Sequence, residues 1–549
     1  MIYFLVTASF LLRALPRLRL RNSLASDTYF HLYCAAAIRE HSFRLPDRLP
    51  RIILPHRYSY PFLYHYLLAC LPMKFRLWAE RLTGAFFDTL SLVFIYVFSE
   101  WGVLQMGDIR LRSLPIVVAA LFAFSPALMR IYSGPRAYNG SPRTVGQTLY
   151  LLHILSAYYA LKTNSLIGLA ISLSVGASLV VTAKFGNQVL VFFGAFFVVW
   201  VSYQYALLLL GCFLLALLFT KGHAWSVVKG QVKHSIFYFK NLQRVFLFPY
   251  TGSFGSWVQR GSEELGRLIR TGNLEAFLRW FYGERYYLHL LLTVYPQFLL
   301  LFYLFIPGVL SDPLEQFLLI WMAAGFIWFV FTKTRPLLFL GEGERYLEFA
   351  LFPSLFLSAR YLIGTWEIVL YVFLGYSLFS SLYSLRQYHE SFAPLDRDFE
   401  RKKALYGNLN QQKPGLIFPL GSFHWQVLYH AQFPVLTYGG NMDESLLSKD
   451  EFLLVYGQYP YPSGDFRRIV DRYNVSYIVS DHAHLKHYRT NIVERPEEFD
   501  QRVEVIGEIP SLVIGRILSK NESGKQSTTL METATYKGPF SKRGGPLRT

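Results

Sequence analysis

Asp27 and His31 stand four positions apart in the run Ser26-Asp27-Thr28-Tyr29-Phe30-His31-Leu32. A helix continuing from there to Arg39 would carry both side chains on one face. A carboxylate so placed can take a proton from an attacking hydroxyl. The same carboxylate also suits a plainer task, capping the first-turn amides of that helix. A second group follows in "HRYSYPFLYHYLLACLP", from His56 to Pro72. Aromatic residues with arginine are what a lipid–water boundary collects, and Arg57 stands out because a guanidinium can fork onto a phosphate.

Further on, "RIYSGPRAYNGSPRTVGQ" carries Arg130, Arg136 and Arg143 without a single acid. Its glycines and prolines serve its turns, and its arginines suit an anion. The last group is "TKTRPLLFLGEGERYLEFALFP", where Arg335, Glu342, Glu344, Arg345, Tyr346 and Glu348 gather around a helix start. Capping and intrahelical ion pairs would account for part of that. Charge carried into a membrane span is costly and usually functional, which favours Arg345 as a site residue. Asp88, inside an apolar run, earns a weaker form of the same inference, the alternative being a hydrogen bond to a neighbouring helix.

The elements that must position these groups are mostly apolar helices. Of 549 residues 53% are hydrophobic, 17% aromatic and only 16% charged, too apolar a composition for one soluble domain of this length. Gly186–Thr220 runs without a charge. At 1.5 Å per residue that is about 50 Å of helix against a hydrocarbon core of about 30 Å, so it must be two spans, with the break at Tyr203-Gln204-Tyr205. In all, about eleven stretches have spanning length: 1–15, 82–98, 114–131, 144–161, 165–183, 185–202, 204–220, 286–307, 315–332, 345–361 and 364–385. The first is read as a retained span, since Arg-rich sequence rather than a small-residue cleavage site follows it. Residues 60–72 are long enough only for an interfacial or re-entrant helix.

The expected fold is therefore an α-helical polytopic membrane protein over 1–385 with a small C-terminal α/β soluble domain over 386–519. With the amino terminus cytoplasmic, the loops 13–81, 132–143, 221–285 and 333–344 and the C-terminal domain share the outer face. The positive-inside rule points the other way, because 13–81 carries twelve Lys or Arg and 221–285 carries ten. Within 221–285, Leu265, Leu268, Ile269 and Phe277 have the spacing of an amphipathic surface helix. After residue 385 come short β-type runs, "GLIFPL", "FLLVYG", "VSYIVSD" and "SLVIGRI", and a helical segment "SGDFRRIVDRY". The tail 520–549 lacks apolar periodicity and reads as disordered.

Cys34, Cys70 and Cys212 match neither a disulfide framework nor a metal spacing, which argues against redox chemistry. The net charge of +18 fits lipid phosphate, and no aromatic-basic module for nucleic acid is present.

Taken together, the acid in "SDTYFHL", the following "YPFLYHYLLA", the Arg-Tyr of "GEGERYLEFALFP" and a soluble C-terminal domain resemble the GT-C class of membrane glycosyltransferases. That class includes protein O-mannosyltransferases, the lipid A aminoarabinose transferase and the oligosaccharyltransferase catalytic subunit. The resemblance implies Asp27 as catalytic acid of the first outer loop and Arg345 with Tyr346 as contacts of a lipid phosphate. Around them, His31, Arg57, Arg136, Arg143 and Glu344 would bind substrate. It implies a sugar donor on a polyprenyl phosphate, a glycan, lipid or protein acceptor, and a place in a bacterial cytoplasmic membrane with the active face outside. Members of the class often carry two acids at the first position, or a second acidic motif in the next outer loop. Here Thr28 and Tyr29 follow Asp27 and 132–143 has no acid, so a divalent metal lacks the support of a second acidic motif. The competing readings are a lipid or anion transporter or flippase, and a non-catalytic membrane scaffold. Against the former, the sequence shows no internal repeat and few mid-span charges.

Overall fold

The computed structural model describes residues 1–549 except 21, 23–25, 130–141, 242–253, 284–286, 307–311, 342, 459–460 and 519–549. Two compact units emerge. The first is built from Met1–Arg19, Ser59–Leu242 and Phe246–Tyr388, and the described parts of the second lie within Leu20–Tyr58 and His389–Thr549. Residues 20–58, read from sequence as part of a membrane-body loop, thus belong with the C-terminal residues.

Four helices of the described residues are long and apolar enough to cross a membrane: Met73–Met106, Ile109–Met129, Pro313–Thr332 and Glu367–Asn410. A fifth span forms if Gln204–Phe219 and His223–Asn241, bent by 117° at their junction, count as one. The chain is an integral membrane protein. The eleven apolar runs do not become eleven such helices, and the reasons are local. The 286–307 run breaks at Pro296, which has no N–H to give, into Tyr287–Thr293, a 3-10 turn Pro296–Leu300 and Leu301–Leu304. The 345–361 run becomes Glu344–Phe349 and Leu351–Leu362. Pro353 cannot donate to the Phe349 carbonyl four residues back, and the indole N–H of Trp321 donates to that oxygen instead at 3.1 Å.

Elsewhere the apolar pattern translates directly. The 35-residue uncharged run divides into two helices, Lys184–Trp200 and Gln204–Phe219; the break falls at 201–203, so of the expected Tyr203-Gln204-Tyr205 only Tyr203 lies in it and the other two open the second helix. The short run at 60–72 forms the eight-residue helix Leu63–Cys70. The helix Ile2–Arg19 packs on Met73–Met106. Asp88 of the latter accepts from Arg13 Nε at 3.1 Å, and Glu80 accepts from Arg17 at 2.9 Å, every one of these side chains at most 3% exposed. Asp88 therefore holds two helices together, the hydrogen-bonded alternative with an ion-pair partner that sequence had placed at the edge of a loop.

The second unit holds a four-stranded sheet of β1 (Leu416–Pro419), β2 (Val475–Ser480), β3 (Val503–Ile509) and β4 (Leu512–Ile517), in the order β1-β2-β4-β3. β1 and β2 are parallel, while β2/β4 and β3/β4 are antiparallel. Ile417, Phe418, Ile478, Val479, Val513 and Ile514 fill its core. Beside β1 lies Val435, bridged both to Ile417 and to Ile52 of the 20–58 segment. Three of the four expected strands are present, as is the helix Phe466–Tyr473. The fourth expected strand, "FLLVYG", is instead the helix Lys449–Tyr456. Ser448 and Glu451 form a capping box, each side chain accepting from the other's backbone N–H at 3.2 Å, and that start signal lies outside the apolar run that suggested a strand. The helix Glu367–Asn410 passes uninterrupted through the boundary expected at residue 385.

Candidate active site

In the first unit five charged residues, Arg143, Lys333, Glu344, Arg345 and Glu348, gather on and around the helix Glu344–Phe349. Two glycines allow the approach. Gly341 has φ +103°, and a Cβ on Gly343 would lie 2.7 Å from Thr332 Oγ1 and 2.9 Å from the Phe329 carbonyl. The short helix can thus press against the end of Pro313–Thr332, bringing Lys333 Nζ within 2.7 Å of Glu344 Oε2. One turn on, Glu348 faces the helix Pro142–Thr163. Its Oε2 accepts from Gln147 Nε2 at 2.7 Å and lies 3.8 Å from Arg143 Nε. Arg143 and Gln147 are themselves one turn apart, so two helical faces of spacing four meet. The four ion-pair side chains are at most 7% exposed, and in so dry a setting the attraction between charges is many times its value in water.

Arg345 and Tyr346 sit between these pairs in sequence but point to different surroundings. The Arg345 guanidinium lies over the Phe185 ring, 4.7 Å from its centre, a stacked cation held by the ring's negative face. Tyr346 is fully buried among Phe185, Phe192, Phe193 and Trp328. The group therefore combines three cations, Arg143, Lys333 and Arg345, with two carboxylates. Lys333 and Gln147 were not singled out from sequence. Gln147 could have been found by its spacing from Arg143, while nothing local marks Lys333 apart from the many other basic residues.

Asp27, His31 and Arg57 belong to the second unit. The helix Ser26–Glu40 begins one residue before Asp27, so this carboxylate stands in the first turn rather than at the cap, exposed and still favoured by the amino-terminal end of the helix dipole. His31, one turn later, is only 3% exposed, and burial pulls its pKa down to about 3, so the ring is neutral. The shared helical face therefore passes from solvent to core between the two residues. Tyr29 and Phe30 explain why: Phe30 packs on Trp425 with ring centres 4.4 Å apart, and Tyr29 on Tyr429 at 5.4 Å. Arg57 is exposed beside His56, whose Nε2 accepts from the Leu49 N–H at 2.9 Å and so fixes the loop. Arg136 lies outside the described residues. Among the described residues, no three His, Cys, Asp or Glu side chains gather as a metal ion would require.

No family model matches the chain. No curated protein matches it either. Among solved structures it is similar to the archaeal oligosaccharyltransferase AglB from Archaeoglobus fulgidus, in complex with an inhibitory peptide and a dolichol-phosphate. The identity is 12%, with 94% of this chain and 74% of that chain covered and a TM-score of 0.44. At that score and identity the likeness bears on neither residue roles nor activity.

Proposed function

We propose that this membrane protein is a glycosyltransferase that moves one sugar from a polyprenyl-phosphate carrier to an acceptor on the outer face of the membrane. Asp27 takes the proton of the acceptor hydroxyl. The oxygen attacks the anomeric carbon from the side opposite the phosphate, the carbon–oxygen bond to phosphate breaks, and the phosphate departs with the electron pair, inverting the configuration. Arg57, Arg136, Arg143 and Arg345 stabilise the charge that grows on the leaving phosphate. Glu344 and Glu348 hold Lys333 and Arg143 of the first unit in position.

The observation that carries the proposal is Arg345: a guanidinium stacked on Phe185 at the start of the helix Glu344–Phe349, flanked by two buried ion pairs. A planar guanidinium held on a ring can fork onto a phosphate, and a lipid-borne phosphate is the anion that a membrane supplies. The test is Asp27→Asn in a transfer assay with a labelled polyprenyl-phosphate sugar. Transfer should fall by at least a hundredfold at unchanged protein level. Unchanged transfer refutes the assignment of Asp27, and a cytoplasmic location of residues 26–57 in a reporter-fusion topology map refutes the orientation.

A transporter or flippase is the second reading. The buried pairs Arg13–Asp88 and Arg17–Glu80 give it some support, since intramembrane charges often mark transport paths. Movement of a fluorescent anionic lipid across reconstituted vesicles, undiminished by Asp27→Asn, would favour it.

A further inference from the structure

The apolar helix Gln204–Phe219 ends in a built reversal. Lys221 and Gly222 take φ +50° and +86°, and the Gly222 N–H donates back to the Leu217 carbonyl at 2.8 Å. The Thr220 hydroxyl oxygen then accepts from the Ala224 N–H at 2.9 Å, satisfying one of the first amides of the next helix. That helix, His223–Asn241, leaves at a bend of 117°. A span along the bilayer normal therefore delivers a helix that runs closer to the membrane plane than to the normal.

The circumference of His223–Asn241 divides into three strips. One is buried in the first unit and includes Val227, Gly230, Gln231 and Phe237. Gln231 fixes that side: its Nε2 donates to the Lys184 carbonyl at 2.7 Å and its Oε1 accepts from Asn187 at 3.3 Å. Opposite stand Trp225, Val232, Ile236 and Phe239, each 46–63% exposed, at spacings of seven, four and three that align them along the helix. Lys229, Lys233 and Lys240, at spacings of four and seven, form the third strip between these two. From Ile109 to Ser262 the chain has no acidic residue, and like charges one turn apart weaken a helix rather than support it. A positive strip beside an apolar one is what the boundary of an anionic bilayer stabilises, because the apolar side chains enter the acyl region while the lysine stems reach up to phosphates. We propose that His223–Asn241 lies in the bilayer interface and binds anionic phospholipid headgroups, with Lys229, Lys233 and Lys240 on the phosphates and the Trp225 strip among the acyl chains. This surface needs no sugar transfer, so it stands or falls apart from the function proposed above.

The experiment uses the full chain in phosphatidylcholine nanodiscs. Cys70→Ser removes the exposed thiol, Cys34 and Cys212 being buried, and Ser226→Cys carries a fluorophore beside the lysine strip. Phosphatidylglycerol with a nitroxide near its headgroup should quench this label at a mole fraction about tenfold or more below that needed by equally labelled phosphatidylcholine, since each lysine near a charged surface contributes about fivefold. Replacing all three lysines by glutamine should abolish the preference. With the lysines intact, about 1 M NaCl should abolish it as well, a readout that does not depend on a variant folding. Inorganic phosphate should displace no more lipid than chloride of equal ionic strength. Equal quenching by the two lipids, a preference that survives high salt or the triple replacement, or displacement by inorganic phosphate overturns the proposal. So does a spin label at Val232→Cys that meets an aqueous nickel chelate more readily than oxygen.

Discussion

Replacing Asp88 by asparagine separates a structural carboxylate from a functional one. Asp88 and Arg13 are each 2% exposed in their side chains and lie 3.1 Å apart. Without the carboxylate, Arg13 still has Ser9 O at 2.9 Å, Ser9 Oγ at 2.8 Å and Ala123 O at 3.1 Å to donate to. Its hydrogen bonds are largely kept while its counter-charge is lost. Removing one member of a buried pair costs about 3–5 kcal/mol, and the surviving acceptors place this case near ~3 kcal/mol, about a hundredfold in the folded-to-unfolded ratio. Unfolding in mild detergent titrated with SDS should show that loss, with sugar transfer per folded molecule unchanged. The double variant Arg13→Met, Asp88→Leu removes both charges and should return to within about 1 kcal/mol of the parent, because apolar packing usually replaces a buried pair at little cost. Full stability of Asp88→Asn with collapsed transfer would refute the reasoning, as would a double variant no more stable than the single one.

Three further outcomes are expected. Arg345→Lys keeps the charge but loses the planar group stacked on Phe185, so the KM for the lipid-linked donor should rise about three- to tenfold in steady-state assays. On acidification the second unit should lose stability between pH 6.5 and pH 4, read by its thermal midpoint. Burial lowers His31 to about 3 and His424 to about 4, and burial with Lys403 and Lys402 lowers His430 to about 4. The unfolded chain therefore takes up these protons first, and stability present above pH 6.5 drains away below it by about 1.4 kcal/mol per pH unit for each ring. Ser448→Ala should cost about 1 kcal/mol by removing half of a capping box, and no loss would speak against a helix over 449–456.

Several features needed only the sequence. The uncharged run Gly186–Thr220 is too long for one span and carries its own polar break, and the strands at 416–419, 475–480 and 512–517 are short apolar runs bounded by turn residues. Periodicity and length are local properties, which is why they could be read. Arg143, Glu344 and Arg345 were likewise legible, as charges where apolar helices begin. What they touch was not. Gln147 meets Glu348 across 201 positions and Arg13 meets Asp88 across 75, pairings set by which helices pack together. The same holds for the burial of His31 and for the lodging of residues 20–58 with the C-terminal sheet. Residue types limit the chemistry available, but packing alone decides which charges are dry and which are paired.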